Sequence, residues 1–291
     1  MDASDERIEW RADDRSVTVG MTRIGAGPKL LLLPALSSIS TRVEMRPLQE
    51  RLAARFSTIA IDWPGFGDLP RPKIDWRAEL YRSFLRFVLT DVVKPVATIA
   101  AGHAAGYALA LAADEPAATG RLILLAPTWR GPLPTMTGRR MQLFRAMARI
   151  VDLPLVGPAF YHLNVNGPVI GMMARGHVYD EPAWLTSERM AQKRLVTEAP
   201  GARHASFRFV AGELDLFADR QTFLDAARRA GVEIHLLYGS RTPRKSKAEM
   251  IALAALPNVT AQELPRGRLS FFEEFPDESA AAIMEFLDAR T

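Results

Sequence analysis

The sequence predicts a doubly wound α/β fold with a mostly parallel sheet and an inserted helical cap. Short apolar runs alternate with amphipathic segments in the first 127 residues, and these runs lie at 30–33, 57–62, 97–102 and 121–127. Continuous apolar runs are typical of parallel strands that are buried on both faces. The strand signals stop after residue 127 and return after residue 203. We therefore predict a core formed by residues 1–127 and 204–291 and a cap formed by residues 128–203.

The other elements follow from periodicity. Residues 7–11 and 17–20 alternate apolar and polar side chains, which predicts an antiparallel hairpin ahead of the parallel strands. Apolar residues at helical spacing predict helices at 44–54, 76–93, 105–114, 218–230, 245–255 and 278–289, and two more apolar runs predict strands at 232–239 and 259–264. In the cap, residues 139–153 predict a helix with Phe144, Ala148 and Val151 on its apolar face. That face suits core packing, a lid over a pocket or a membrane surface.

The composition is that of a globular protein, with 48% hydrophobic and 24% charged residues. Cysteine is absent, which excludes disulfides and Cys-ligated metals. The net charge of +4 comes without a zinc finger or a long basic run, so we predict no nucleic-acid partner. No stretch reaches the ~20 apolar residues that cross a bilayer, and the polar start lacks the pattern of a secretory signal. We expect a cytoplasmic protein without a cofactor or a metal.

Three motifs, in register along the chain, resemble the α/β-hydrolase family. The first apolar run is followed by P-A-L-S-S at 34–38, which looks like the loop that supplies one amide of an oxyanion hole. The segment D-W-P-G-F-G at 62–67 is similar to the family's D-x-x-G-x-G turn. The segment G-H-A-A-G at 102–106 resembles the nucleophile elbow G-x-S-x-G. The resemblance covers nearly the whole chain and implies an α/β-hydrolase fold.

The resemblance also implies a catalytic triad, and this sequence departs from it at all three positions. Ala104 stands at the centre of the elbow, where a methyl group cannot form an acyl-enzyme. Thr242 stands where the resemblance places the acid, after the strand at 232–239. Leu269 stands where it places the histidine, and no histidine follows His235. A triad in the order Ser, Asp, His cannot be assembled from these positions.

Three further segments resemble a little-characterised subgroup of the family from bacteria, cyanobacteria and plastids that lacks the triad. They are A-P-T-W-R-G-P-L-P at 126–134, G-H-V-Y at 176–179 and K-S-K-A-E-M at 245–250. This resemblance implies no known reaction.

We expect a ligand site between the carboxyl edge of the sheet and the cap, because open α/β sheets bind ligands at that edge. The expected lining comes from the loop after the first apolar run, the elbow and the cap: Ala35, Leu36, Ser37, His103, Ala104, Ala105, Trp129 and His177. His103 is also a weak candidate for acid–base catalysis. Packing is its favoured interpretation, ahead of ligand contact and of catalysis.

Three functions from different classes are compatible with these residues. The leading hypothesis is a non-hydrolytic protein, or pseudoenzyme, that binds an apolar or amphipathic small molecule, either as a binder or as a lyase- or isomerase-like catalyst. The second is an esterase-like hydrolase with a rearranged site, which uses His103 or a water activated by Asp215. The third is a membrane-surface or assembly scaffold that uses the basic cap helix, and a membrane surface is the less favoured partner. The oligomeric state is not predicted.

Overall fold

An eight-stranded sheet organises the molecule. In this computed structural model, which describes residues 3–289 apart from the side chain of Asn164, the strand order is β1-β2-β4-β3-β5-β6-β7-β8. The strands are β1 (Ala3–Ala12), β2 (Arg15–Ile24), β3 (Lys29–Leu33), β4 (Ser57–Ile61), β5 (Ala97–Ala101), β6 (Arg121–Leu125), β7 (Ile234–Gly239) and β8 (Val259–Leu264). β2 pairs antiparallel with β1 and β4, and the pairs from β4 to β8 are parallel. The predicted hairpin and the mostly parallel sheet are confirmed.

Helices pack in two layers against the sheet and also fill the insertion between β6 and β7. They are α1 (Arg46–Leu52), α2 (Ala78–Phe87), α3 (Ala104–Asp114), α4 (Pro116–Thr119), α5 (Pro132–Thr137), α6 (Gln142–Ile150), α7 (Val156–Asn164), α8 (Gly167–Met173), α9 (Ser187–Glu198), α10 (Ala202–Ala211), α11 (Arg220–Arg229), α12 (Arg244–Ala254), α13 (Phe271–Glu274) and α14 (Pro276–Asp288). α3 contacts α2 and α11, while α1 contacts α14. The helix predicted at 76–93 is divided, because after α2 the chain widens into a π-helix, Val88–Val93. The wider turn buries Val88, Leu89 and Val93 together.

An aromatic cluster fixes the three motif loops to one another beneath the sheet edge. The ring centroid of Trp63, which follows β4, lies 5.6 Å from that of Tyr107 on α3 and 6.1 Å from that of Tyr81 on α2. All three residues are almost fully buried. The indole N–H of Trp63 donates a hydrogen bond of 2.9 Å to the carbonyl of Pro34, at the end of β3. The elbow, the Pro-Gly turn and the loop after β3 are therefore held in fixed relation.

The cap has its own small core. Phe144, Ala148 and Val151 are buried in a cluster with Phe207 of α10, while Arg145 on α6 is exposed. The predicted apolar face of this helix is confirmed, and it packs inward. α10 also contributes to the main core through Ala205 and Phe209. Because one helix joins both clusters, the division between core and cap at residues 203 and 204 stays a prediction.

Neither a membrane-spanning helix nor a metal-binding group is found among residues 3–289. No helix in that part of the chain combines the length and the apolar character needed to cross a bilayer. No three or more histidine, aspartate or glutamate side chains in it converge closely enough to hold a metal ion.

Candidate site between the sheet edge and the cap

The elbow is present, but its apex is Gly102. Gly102 follows β5 directly and has a positive φ of 52°, whereas His103 has φ −69° and ψ −24° and Ala104 already begins α3. The assignment of Ala104 to the strained central position was therefore wrong. Glycine adopts positive φ without the steric penalty of a Cβ, so the turn is made two residues earlier than the motif spacing predicts. A Cβ at Gly102 would lie 3.1 Å from the Cβ of Ala35, on the neighbouring loop.

The loop amide opposite this apex is already satisfied within the protein. The N–H of Ala35, in the segment that resembles the oxyanion loop, donates a hydrogen bond of 3.1 Å to Oε1 of Glu44. Glu44 lies on a 3-10 turn, Arg42–Met45, and its side chain is 2% exposed. The carboxylate of Glu44 thus already accepts the hydrogen bond that this N–H would donate to a developing oxyanion. This amide is available to a ligand only if Glu44 moves.

Glu44 belongs to a buried group of charged and polar side chains that joins the cap to the core. We call Glu44, Tyr179, Lys193 and Glu273 the Lys193 cluster. Nζ of Lys193, on α9 of the cap, lies 3.3 Å from Oε1 of Glu273 on α13 and 3.6 Å from Oε2 of Glu44. The hydroxyl of Tyr179 donates a hydrogen bond of 2.8 Å to Oε2 of Glu273. The cluster therefore spans from the loop beside the elbow to the segment after β8.

The electrostatics of this cluster bring the pKa of one of its carboxyl groups close to neutral pH. Burial raises the pKa of Glu44 to about 7, although Lys193 opposes the shift. Burial by itself lowers the pKa of Lys193, but Glu273, Tyr179 and Glu44 outweigh it, so that pKa is raised well above its usual value. Oε2 of Glu44 accepts no hydrogen bond from the described residues. The lysine stays charged, while Glu44 changes its protonation state close to physiological pH.

His103 is packed inside the protein and pairs with the acid of the second hypothesis. Its Nε2 lies 3.3 Å from the carbonyl oxygen of Leu214 and 3.5 Å from Oδ1 of Asp215. Burial lowers the pKa of His103 despite the nearby carboxylate, and burial also raises the pKa of Asp215. Asp215 accepts a further hydrogen bond of 2.8 Å from the N–H of Gly131. The gap between His103 and Phe217 is too narrow to admit a water molecule.

The loops after β7 and β8 carry no carboxylate or imidazole at the predicted triad positions. Thr242 is 5% exposed and its hydroxyl has no hydrogen-bond partner among the described residues, while Leu269 packs half-buried against the core. Asp180 of the cap joins these two loops. It accepts a hydrogen bond of 2.9 Å from the N–H of Gly267 and lies 3.3 Å from Nη1 of Arg241. The cap thus clamps the loops together through an ion pair and a backbone bond.

The structure brings some of the other predicted lining residues to this region and leaves others out. Leu36 and Ala105 are fully buried, and Ser37 is half-buried. Trp129 is buried, with its indole N–H 3.1 Å from Oε2 of Glu249. His177 is exposed to solvent on the cap, so its predicted descent into the interface is not seen.

Sequence reasoning missed the residues that dominate this interface: Gly102, Glu44, Tyr179, Lys193 and Glu273. The signal for Gly102 was available, because a glycine after a strand is the residue best suited to positive φ. Lys193 lies in the polar segment S-E-R-M-A-Q-K-R-L-V-T-E, where a lysine is ordinarily solvated. Only the packing of α9 against the core makes this lysine a buried partner of two carboxylates.

The model of the alpha/beta hydrolase family matches residues 30–282 of the chain. The match covers most of the chain, so the protein belongs to the alpha/beta hydrolase family. The predicted family resemblance is confirmed at this level.

Solved structures share the fold of this chain. A hydrolase from Pseudomonas aeruginosa PA01 is similar with a TM-score of 0.72 and 15% identity, covering 97% of this chain and 98% of that one. An enol-lactonase from Burkholderia xenovorans has a TM-score of 0.69 and 15% identity, covering 93% and 96%. At such identities the likeness shows the fold alone.

Among curated sequences, 2-(acetamidomethylene)succinate hydrolase from Mesorhizobium japonicum is 34% identical over 102 residues, which are 35% of this chain and 34% of that protein. An uncharacterized protein of Mycobacterium tuberculosis is 29% identical over 158 residues, which are 53% of this chain and 46% of that protein. The matches thus span about a third to a half of the relatives' length.

Proposed function

We propose that this chain is a non-hydrolytic member of its family, which binds an amphipathic small molecule between the carboxyl edge of the sheet and the cap. It acts either as a binder or as a catalyst that needs no covalent nucleophile, such as a lyase or an isomerase. One observation carries the proposal: the apex of the elbow is Gly102, so no side chain stands where the acyl-enzyme route begins. Residence in the cytoplasm stays a prediction.

Two further observations support the proposal that this site does not catalyse hydrolysis. The N–H of Ala35 is bound by Glu44, which removes one donor from an oxyanion hole. Thr242 and Leu269, on the loops where an acid and a base would be expected, offer neither a carboxylate nor an imidazole. A hydroxyl and an isobutyl group cannot relay the proton that ester cleavage requires.

The amphipathic character of the proposed ligand follows from the residues at the interface. The Lys193 cluster supplies charge and hydrogen bonds, while the rings of Tyr179 and Trp184, with centroids 4.3 Å apart, supply an apolar wall beside it. Ligand sites commonly combine an apolar lining with a few polar groups that fix orientation. We infer that the ligand enters when α9 and its lysine move away from the core.

The proposal is tested first by ester hydrolysis. Purified wild-type protein, incubated with 4-nitrophenyl butyrate, is expected to show no burst of nitrophenol and a turnover far below ~1 s⁻¹. The Gly102→Ser variant is expected to remain inactive as well, because a serine alone has no base to activate it. Wild-type turnover at ~1 s⁻¹ or faster contradicts the non-hydrolytic assignment.

A second candidate, a hydrolase with a rearranged site, is favoured by one observation. His103 and Asp215 lie 3.5 Å apart beneath the cap, and such a pair is able to activate water once the site opens. If the wild type turns over an ester and His103→Ala abolishes that turnover without lowering the melting temperature, this candidate replaces the first.

Ligand binding is tested by native mass spectrometry of the purified protein. We expect a bound small molecule in the wild type, and its loss in Lys193→Met, because the cluster holds its polar end. Leu195→Ala is the matched control, since Leu195 lies on the same helix but is 71% exposed. If both variants carry the ligand as fully as the wild type does, the ligand binds away from the Lys193 cluster. If the wild type carries no small molecule, the protein does not retain a tightly bound ligand.

A further inference from the structure

The tip of the cap exposes a group of apolar side chains. We call Leu153, Pro154, Leu155, Val156 and Leu163 the cap tip. Leu155 is 89% exposed, Leu163 75%, Val156 55% and Leu153 49%. Scattered single exposures of this kind are ordinary, but four large apolar residues on one turn and its following helix form a patch.

Helical spacing shows that the patch continues along α7. Val156, Ala159 and Leu163 stand at positions i, i+3 and i+7 and are all exposed, whereas Gly157 and Tyr161 on the other side of the helix are buried. The stripe is therefore one face of an amphipathic helix that points away from the protein.

The backbone at Leu155 is strained in a way that keeps its side chain outward. Leu155 has φ 65° and ψ −56°, and the N–H of Val156 donates a hydrogen bond of 2.7 Å to the carbonyl of Pro154. This is a γ-turn whose central residue has positive φ, a rare and strained conformation. Glycine would adopt it more easily, so a leucine here costs stability and gains no burial.

Two cations lie beside the cap tip. Lys73 and Arg203 donate hydrogen bonds to backbone carbonyls of this turn, at Asp152 and Val151. The carboxylate of Asp152 is neutralised by Arg208, whose Nη2 lies 2.8 Å away. Residues 139–175 contain five arginines and no acidic residue other than Asp152, and two of those arginines pair with carboxylates at positions 213 and 215. The turn therefore presents exposed leucines next to cations.

We propose that the cap tip binds the surface of an anionic phospholipid bilayer, with its apolar residues at the boundary of the acyl chains and its cations on the headgroups. This interaction goes beyond the small-molecule site. An amphipathic element with a cationic rim is the pattern that anionic lipid surfaces attract. A second copy of the chain is the weaker occupant, because two copies would bring like charges together.

The experiment is co-sedimentation with vesicles of phosphatidylcholine alone and of phosphatidylcholine with phosphatidylglycerol. The wild type is expected to bind only the anionic vesicles, and binding is expected to weaken as salt is raised from 0.1 to 0.5 M, because salt screens headgroup attraction. The double variant Leu155→Asn, Leu163→Gln is expected to bind at least about tenfold more weakly, since it loses two exposed leucines that the bilayer would bury. Asparagine tolerates positive φ, so the turn is retained.

Leu195→Gln is the matched control, because Leu195 is similarly exposed but lies on α9, outside the cap tip. It is expected to bind like the wild type. The proposal is overturned if the wild type binds no vesicles, if it binds neutral vesicles equally well, or if the control loses as much binding as the double variant. Light scattering supplies the remaining outcome: a concentration-dependent dimer that the double variant abolishes assigns the surface to self-association instead.

Discussion

Two buried charge clusters, both attached to the same short turn, differ in how completely they are satisfied. We call Arg42, Asp62 and Asp68 the Arg42 cluster. Arg42 contacts both carboxylates, its Nε donates a hydrogen bond of 3.0 Å to Oγ1 of Thr22, and its own N–H donates one of 2.6 Å to Oδ1 of Asp62. In the Lys193 cluster, two carboxylates share one ammonium and Oε2 of Glu44 has no hydrogen bond from the described residues.

We call the Arg42 cluster the anchor, because its bonds are complete, and the Lys193 cluster the boundary, because it joins the core to the cap. Arg42 and Asp62 are buried in the core, with Asp68 at its exposed edge, and the cluster fixes the turn Arg42–Met45, which also carries Glu44. The Lys193 cluster joins that fixed turn to α9 of the cap. A fully bonded buried network rigidifies its surroundings, whereas an incomplete one across two layers is easier to open. The comparison therefore teaches which buried contacts hold the fold together and which contacts would have to open for the proposed ligand to enter.

The largest effect is expected from breaking the anchor. Asp62→Ala leaves the buried guanidinium of Arg42 with only the exposed carboxylates of Asp68 and Asp5, so we expect a loss of about 3–5 kcal/mol in the free energy of unfolding. Urea denaturation followed by tryptophan fluorescence measures it. Asp62→Asn is the control, because it keeps an acceptor for Arg42 and should lose less. A loss below about 1 kcal/mol for the alanine variant would remove the distinction between the clusters.

The next effect concerns the boundary. Lys193→Met leaves Glu44 and Glu273 facing each other without a cation, and we expect a loss of about 2–3 kcal/mol together with faster hydrogen exchange in α9 than in β5. Arg194→Met, at an exposed neighbour on α9, should change neither quantity. Adding Glu44→Gln to Lys193→Met should restore part of the stability. Uniformly faster exchange throughout the sheet would show that Lys193 supports the whole fold.

An effect of similar size at most is expected from pH. The pKa of Glu44 is raised from 4.5 to about 7 by burial, so the folded protein holds a proton that the unfolded chain releases. This contribution is complete below pH 4.5 and is lost as the pH rises through about 7, by up to about 3 kcal/mol. Asp62, whose pKa burial raises to about 6, acts in the same direction. The unfolding free energies of the wild type and of Glu44→Gln, measured from pH 5 to 8, separate the contributions of Glu44 and Asp62. If the unfolding free energy of the variant depends on pH as steeply as that of the wild type, the proton belongs to Asp62.

The smallest effect is expected at the exposed edge of the anchor. The side chain of Asp68 is 57% exposed, so its ion pair with Arg42 is screened by solvent. Asp68→Asn should lower the free energy of unfolding by less than about 1 kcal/mol. Thermal denaturation at low and high salt measures it. A loss as large as that of Asp62→Ala would mean that Asp68, rather than Asp62, neutralises the buried guanidinium.

Much of the fold could be predicted because its signals are local. The strands β3 to β6 are mostly apolar and are buried at every position except the first residue of β3 and of β6, as strands covered on both faces require, and the hairpin alternates with period two. The elbow was found for the same reason, but its apex was misplaced by two residues, since G-H-A-A-G contains two glycines and the motif alone does not say which takes positive φ. Cap helices such as α9 carry many charges and weak periodicity, so their inward residues were not found.

The sequence by itself determined the family and the parallel sheet, because each depends on residue types within short stretches of the chain. Only the tertiary structure decided that Gly102 forms the apex, that Glu44 binds the amide of Ala35, and that Lys193 enters the core. These contacts join residues from distant parts of the chain, and whether a lysine is solvated or buried depends on what the fold places against it.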